Sequence, residues 1–154
     1  MTIDWDALEG RAWKPPTFTD DQIKAAQAAV TALPAVDKNP DHIALVWDQA
    51  DKFPNISDID FGDAVQQVVT LGGLQAATDA THNWLNRQKV LNSIQNPGVS
   101  SNPNPFTNAG PIITTTKKGN QLIVDGHHRL AALMFLGATK YQVWNVPTAA
   151  ALKK

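Results

Sequence analysis

The segment Val124-Asp125-Gly126-His127-His128-Arg129-Leu130 constrains the fold of this chain more than any other. It follows a β-branched run, 121–124, that predicts a strand, and it precedes an apolar stretch, 130–136, that predicts a helix. The first turn of a helix has unpaired backbone N–H groups and a partial positive charge, so it attracts anions. The sequence therefore predicts a strand, a turn and a helix, with a phosphate-binding site at the turn.

Two charged side chains flank the glycine of this turn, Asp125 before it and Arg129 after it. We expect Arg129 to bind a phosphate through its planar guanidinium group, and the alternative is a structural ion pair with an aspartate. Asp125 is a candidate catalytic residue, since a carboxylate there can position a cation or activate a hydroxyl. Its other role is the N-cap of the helix, and both roles can hold at once. Gly126 lets the chain turn sharply and lets a ligand approach the backbone.

His127 and His128 lie in the first turn of the predicted helix. Imidazoles donate hydrogen bonds to phosphate oxygens and transfer protons near neutral pH, so both are candidate catalytic and phosphate-binding residues. Consecutive helical side chains point about 100° apart, so the pair does not readily hold one metal ion, and no set of metal ligands is predicted. We expect one histidine to face the ligand and the other to face the core or solvent.

The order of motifs in the carboxy-terminal half resembles the ParB/sulfiredoxin superfamily, in particular its ParB-like N-terminal, nuclease-type domains. The resemblance covers Asn92 to Val146, and more weakly the segment from Phe53. Its most specific part is the Asp-Gly-His-His-Arg motif with its flanking strand and helix. It implies a small α/β fold in which four residues bind the phosphates of a nucleotide: Gly126, His127, His128 and Arg129. The cofactors that it implies are Mg²⁺ and a nucleotide, either ATP, ADP or CTP.

Two departures from the family pattern narrow the expected reaction. Sulfiredoxins have their catalytic cysteine directly before the His-Arg pair, where this chain has His127. Chromosome-partitioning members add a helix-turn-helix and a dimerisation domain, whereas only 147–154 follow the last predicted strand here. The motif is closer to the serine-kinase branch and to the ParB-like phosphotransferase or nuclease branches.

Composition limits the classes of function. The chain has 154 residues and a net charge of −1, so it lacks the basic excess typical of proteins that bind nucleic acid by charge alone. The absence of cysteine excludes disulfides, thiolate metal sites and a cysteine nucleophile. No apolar run is long enough for a membrane span, and the amino terminus lacks a signal-peptide pattern. We therefore expect a cytoplasmic protein with no membrane partner.

Capping and turn residues predict the boundaries of several elements. Thr19 and Gln22 form a capping box for a helix over 19–33 that Pro34 ends. The region after it is predicted to form either a helix starting at Asn39-Pro40 or a short strand over 43–47. A helical stretch from Asp63 that Gly72-Gly73 interrupts and a helix over 74–95 follow. The last predicted elements are a hairpin of 111–116 and 121–124, a helix over 127–136 that ends at Gly137, and a strand over 141–146. Additional carboxylates are offered by Asp58, Asp60 and Asp63, for which a solvated turn is the alternative.

These elements predict an α/β (α+β) fold, a ParB/sulfiredoxin-like small mixed sheet with helices, plus a helical N-terminal extension. We expect the arm and helical extension to cover 1–52 and the ParB/sulfiredoxin-like domain to cover 53–154. A loop over 96–110, rich in Asn, Pro and Ser, is long enough to have a function of its own.

Two hypotheses of function follow. The first is an enzyme that binds a nucleotide or nucleic-acid phosphodiester and carries out phosphoryl transfer or hydrolysis with Mg²⁺, as a kinase, an NTPase or a nuclease. The second is a non-catalytic binding or structural module of the same fold, for instance a phage-encoded component of a phage-type assembly. Trp5 and Trp13 favour a protein partner or self-association through the N-terminal arm, because tryptophans in an arm need a surface to pack on.

Overall fold

The described part of the chain forms three short α-helices, one 3₁₀ turn and seven strands. The computed structural model describes residues 16–49, 65–76, 84–95, 111–115 and 119–147. Within these ranges the elements are, in order, α1 (Asp20–Ala32), β1 (His42–Ala44), β2 (Val65–Thr70), a 3₁₀ turn (Leu71–Gly73), β3 (Gln75–Ala76), β4 (Trp84–Asn86), α2 (Arg87–Gln95), β5 (Ile112–Thr115), β6 (Gln121–Asp125), α3 (His127–Phe135) and β7 (Lys140–Pro147).

A five-stranded sheet has the strand order β2-β7-β5-β6-β3. Strand β7 is antiparallel to β2 and parallel to β5, β5 is antiparallel to β6, and β6 is parallel to β3, so the sheet is mixed. Strands β1 and β4 form a separate two-stranded antiparallel sheet. The predicted α+β class with a small mixed sheet is confirmed.

The predicted amino-terminal helix is confirmed as α1, and its capping box is present. The Thr19 hydroxyl accepts a hydrogen bond from the Gln22 N–H at 3.2 Å, and the Gln22 side chain accepts one from the Thr19 N–H at 2.9 Å. The two bonds satisfy two backbone N–H groups at the start of the helix that have no intrahelical partner. The helix ends at Ala32 and buries Ala26 and Val30.

The predicted hairpin, the helix after it and the last strand are confirmed as β5, β6, α3 and β7. Helix α3 ends just before Gly137, whose φ of 100° is the left-handed conformation that favours glycine after a helix. These elements were predictable because their boundaries are marked by local residues, a turn before β6 and glycines on either side of α3.

The helical stretch predicted from Asp63 is wrong, and of the helix predicted over 74–95 only the last part is confirmed. Strands β2, β3 and β4 and the 3₁₀ turn occupy the described part of this region, and only 87–95 is helical. The run Val65-Gln66-Gln67-Val68-Val69-Thr70 is rich in β-branched residues, which lose side-chain freedom in a helix and pack well in a sheet. Helix α2 has its own start signal, since the Asn86 side chain accepts a hydrogen bond from the Lys89 N–H at 3.0 Å, as an N-cap does.

A helix starting at Asn39-Pro40 is likewise wrong, and the alternative, a short strand, is found as β1. Asp37 and Lys38 have φ values of 55° and 60°, so the chain makes a tight turn before this strand instead of starting a helix. The predicted loops over 53–61 and 96–110, the aspartates Asp58, Asp60 and Asp63, and the tryptophan-bearing arm lie outside the described residues.

The three helices that the structure describes share the main core with residues of the large sheet and of the small sheet. Helix α1 and strand β1 contribute Val30 and Ile43, and helix α3 contributes Leu130 and Leu133 to the same cluster. Residues from both sides of the predicted boundary at 52 therefore share one core. A smaller apolar cluster joins strands β5, β6 and β7: Ile112, Val124, Trp144 and Val146. Within the described ranges, no helix has the length and apolar character that a membrane span needs.

Candidate functional site

The turn between β6 and α3 has the predicted geometry. Strand β6 ends at Asp125, Gly126 is the N-cap with a φ of 98°, and α3 begins at His127. The Leu130 N–H donates to the Gly126 carbonyl at 2.9 Å, which is the first backbone bond of the helix. The pairing of β5 with β6 shifts its register immediately before this turn, between Ile112 and Ile113. Such bulges commonly change the direction of side chains next to functional sites.

Gly126 is required at this position for two reasons. Its φ lies in the left-handed region, and a Cβ atom added here would lie 3.0 Å from the Pro111 Cβ and 3.2 Å from the Pro111 Cα. The sequence predicted that a ligand could approach the backbone at Gly126. The close neighbour that the structure shows there is Pro111 of the same chain. Pro111 is held in turn by its carbonyl, which accepts a hydrogen bond from the Trp144 N–H at 2.8 Å.

Arg129 and Asp125 lie close enough for their charges to interact, on either side of Gly126. Arg129 is only 6% exposed, and burial lowers the pKa of its guanidinium, while the charges of Tyr141 and Asp125 act to raise it. Burial raises the pKa of the Asp125 carboxyl, and the Gly126 N–H and the Arg129 charge oppose that rise. Two ionisable groups are thus held in partly desolvated surroundings at a helix start, a common property of functional sites.

Tyr141 is a member of this cluster that the sequence did not indicate. Burial raises the pKa of its phenol, and the nearby Arg129 guanidinium opposes the rise. The residue lies near the start of β7, which pairs with β5 and β2, whereas Arg129 is in α3. Only the packing of the helix on the sheet brings the two together, so no local pattern could have identified Tyr141.

His128 connects the starts of two helices. Its Nε2 atom accepts a hydrogen bond from the Asn86 N–H at 2.9 Å, and Asn86 is also the N-cap of α2. Burial, assisted by the positive charge of Lys89, lowers the pKa of His128 to about 4. An imidazole that accepts at Nε2 is neutral and carries its proton on Nδ1. His128 therefore joins α3 to the β4–α2 junction through Nε2, the ring nitrogen that would otherwise accept a proton.

His127 packs against Trp47 in an edge-to-face arrangement, with ring centroids 6.4 Å apart and an interplanar angle of 72°. Burial, with a smaller contribution from His128, lowers the pKa of His127 to about 4, so it is also neutral at pH 7. Trp47 is fixed by its own Nε1–H, which donates to the Leu71 carbonyl at 2.9 Å. Sequence reasoning missed Trp47 and Asn86, because both reach the turn from distant parts of the chain.

The turn therefore brings together all five residues predicted for the site: Asp125, Gly126, His127, His128 and Arg129. Among the described residues, no group of three or more His, Cys, Asp or Glu side chains is placed to hold a metal ion. Mg²⁺ in phosphotransfer sites is commonly bound by one or two carboxylates together with substrate phosphates. Asp125 provides one such carboxylate next to the helix start, so the residues present fit Mg²⁺ that arrives with a nucleotide.

No family model, no curated protein and no solved structure matches this chain. At this turn a buried, positively charged side chain, Arg129, lies in the first turn of α3, at the positive end of the helix dipole.

Proposed function

We propose that this protein is a ParB-like domain that binds a nucleotide or a phosphodiester at the turn between β6 and α3. The observation that supports the proposal is the burial of Arg129 in the first turn of α3. A cation at a helix N-terminus lies at the unfavourable end of the helix dipole, and burial removes the water that would stabilise it. A bound phosphate would relieve both penalties at once.

Asp125 supplies one negative charge close to Arg129. Burial raises the pKa of its carboxyl, so its negative charge is held less strongly than that of a solvated aspartate. A ligand phosphate carries more charge than one carboxylate and offers several acceptor oxygens to the guanidinium and the helix N–H groups. Arg129 would bind one phosphate in a bidentate manner, and the backbone of 126–129 would position it.

The same residues suggest how phosphoryl transfer or hydrolysis would proceed. Asp125, with its raised pKa, is the best placed group to accept a proton from an attacking hydroxyl or water. Arg129 and the helix N-terminus would stabilise the charge that develops on the phosphate. In the alternative arrangement Asp125 would hold Mg²⁺ instead of accepting the proton, and the ion would supply further neutralisation of phosphate charge. The two histidines would act by holding the turn in place.

One observation favours the second candidate, a non-catalytic module that binds phosphate. His128 Nε2 is engaged by the Asn86 N–H, and both motif histidines have pKa values of about 4. Neither is poised for acid–base catalysis at neutral pH, where the best catalytic pKa lies near the working pH. If Asp125 does not act as a base, the domain binds its ligand without a reaction.

Thermal shift and calorimetry with ATP, ADP, CTP and inorganic phosphate, each with and without Mg²⁺, test binding. A ligand at about a hundred times its Kd stabilises the folded state by about 2.7 kcal/mol, which raises the melting temperature by several degrees. We expect Arg129→Gln to abolish the shift and Arg129→Lys to weaken it. Lys24→Gln, a loss of the same charge at an exposed position of α1, is the matched control and should behave as the parent.

Reaction is tested separately from binding. Release of inorganic phosphate from ATP and cleavage of plasmid and single-stranded DNA should depend on Mg²⁺ and fall strongly in Asp125→Asn. Binding without turnover in any of these assays would favour the non-catalytic module. If no nucleotide, phosphate or DNA binds the parent protein, the proposed function is wrong.

A further inference from the structure

Strand β2 forms one edge of the five-stranded sheet. It pairs with β7 along its whole length, from Val65 opposite Asn145 to Thr70 opposite Lys140. In the part of the chain that the structure describes, no strand lies on its other side. An edge strand presents a row of backbone donors and acceptors that can pair with a further strand.

The pairing pattern identifies which residues face outward. The Trp144 N–H donates to the Pro111 carbonyl, so Trp144 points its backbone groups toward β5, and its neighbours Val143 and Asn145 point theirs toward β2. Because backbone groups alternate sides along a strand, the partners of Val143 and Asn145, which are Gln67 and Val65, point back at β7. The backbone groups of the alternate residues, Gln66, Val68 and Thr70, therefore point away from the sheet.

This edge lacks the devices that usually prevent pairing. The run Val65–Thr70 contains no charged residue and no proline, and its register with β7 is unbroken. Among the described residues, Val65 stands out as a large apolar residue with high exposure, at 57%. The opposite edge of the sheet is different, because the Ala76 N–H of β3 donates to the Asp48 carbonyl at 2.8 Å and Gln49 forms a bridge with Ala76.

We propose that two copies of this chain associate through β2, antiparallel and edge to edge, so that their sheets become continuous. A second copy is the occupant that the sequence of the strand suits, since a two-fold axis at Val68 makes the edge self-complementary. Val68 then faces Val68 of the partner subunit, and Gln66 faces Thr70 of the partner subunit. Each facing pair exchanges both backbone hydrogen bonds, and the absence of charge avoids like-charge repulsion across the axis.

The interface is short, about 20 Å at about 3.4 Å for each residue, so we expect a reversible dimer that dissociates on dilution. This association uses the sheet edge and is separate from self-association through the N-terminal arm. It is also independent of phosphate binding at the α3 turn, so either proposal can fail without the other.

Sedimentation velocity over a wide range of protein concentration tests the dimer. We expect the parent chain to dimerise, and Val68→Lys and Val68→Glu each to be monomeric, because each places like charges opposite one another on the axis. An equimolar mixture of the two variants should dimerise again, which is the specific signature of this register. Val68→Thr keeps a β-branched residue and the backbone groups, so it serves as the control and should dimerise like the parent.

A crosslinking measurement covers the case in which the charged variants do not fold. The chain has no cysteine, so Val68→Cys provides a single thiol, and facing Cα atoms about 5.5 Å apart are within disulfide range. We expect rapid oxidation to a covalent dimer, and much slower oxidation for Val65→Cys, because position 65 lies three residues from the axis along β2. A parent chain that stays monomeric at every concentration, a dimer that the Val68 charges do not affect, or equal crosslinking at the two positions would overturn the proposal.

Discussion

At the residue scale, Gly126 and Gly137 share a left-handed conformation but differ in their surroundings. Their φ values are 98° and 100°, yet a Cβ atom at Gly126 would meet Pro111, whereas one at Gly137 would have nothing within 4 Å. Both glycines flank α3, so the pair separates the cost of the backbone conformation from the cost of a steric contact.

We expect Gly137→Ala to lower the free energy of unfolding by about 1 kcal/mol, the cost of a left-handed conformation for a residue with a Cβ atom. Gly126→Ala should cost about 1–2 kcal/mol more, because the new methyl group displaces Pro111. Urea denaturation of the two variants gives the comparison. Equal losses would mean that Pro111 moves aside freely and that the turn has room for a larger residue.

The two motif histidines make stability sensitive to acid. Their pKa values of about 4 in the folded protein lie below the ordinary 6.5, so the unfolded chain binds protons first as the pH falls. The contribution of the two neutral histidines to the free energy of unfolding is therefore fully present above about pH 6.5. It is lost as the pH falls toward 4, and at full effect the loss is about 3 kcal/mol for each histidine. The raised pKa of Asp125 acts in the opposite direction at the acid end of this range.

Urea denaturation at a series of pH values measures this dependence. We expect His128→Gln to remove about half of the acid sensitivity, because the amide oxygen can still accept from Asn86 but does not titrate. Thr31→Ala, at an exposed position of α1 with no titratable side chain, is the control and should keep the slope of the parent. A parent whose stability does not change between pH 7 and 4 would contradict the neutral state assigned to His127 and His128.

At the element scale, the structure shows which signals in the sequence were sufficient. Helix α1 and the hairpin of β5 and β6 were predictable because a capping box and a turn act within a few residues. Strand β2 was not, because its partner β7 lies far along the chain and the same residues have an apolar spacing that also fits a helix. The Asn86 cap marks the start of α2 and would have shortened the predicted helix.

Arg87 stabilises the end of α1 from another element. It lies at the start of α2, and its guanidinium donates to the carbonyls of Val30 at 2.6 Å and Pro40 at 3.0 Å. Helix α1 has no basic residue of its own in its last turn, where a cation is favourable because of the helix dipole. The contact therefore joins the end of α1 to the start of α2.

Replacing Arg87 by methionine should lower the free energy of unfolding by about 2 kcal/mol, since hydrogen bonds to charged groups contribute about 1.5–3 kcal/mol. Arg87→Lys should recover only part of this loss, because an ammonium group lacks the planar fork. Gln88→Met is the control, as Gln88 is exposed and bonds only to Asn92 of the same helix. Chemical denaturation measures all three, and a loss for Gln88→Met as large as for Arg87→Met would show that the contact has no special role.

At the scale of the whole molecule, the candidate site depends on elements from most of the described chain. Arg129 and Gly126 were predictable because the motif is local, but Trp47, Asn86 and Tyr141 reach α3 only through the packing of the helices on the sheet. The sequence thus predicted where the turn lies and could not predict what surrounds it. The surroundings matter for function, since they bury Arg129 and keep both histidines neutral.

This dependence predicts that α1 and α3 unfold together. Val30 of α1 is fully buried in the same cluster as Leu130 of α3, so Val30→Ala should lower the free energy of unfolding by about 2 kcal/mol. The exposed neighbour, Thr31→Ala, should change it little. If the core is one cooperative unit, far-UV circular dichroism and tryptophan fluorescence give coincident urea transitions, and hydrogen exchange in α1 and α3 accelerates equally in Val30→Ala. Faster exchange in α1 alone would instead show that the helical extension folds as a separate module, and the site at α3 would then not depend on it.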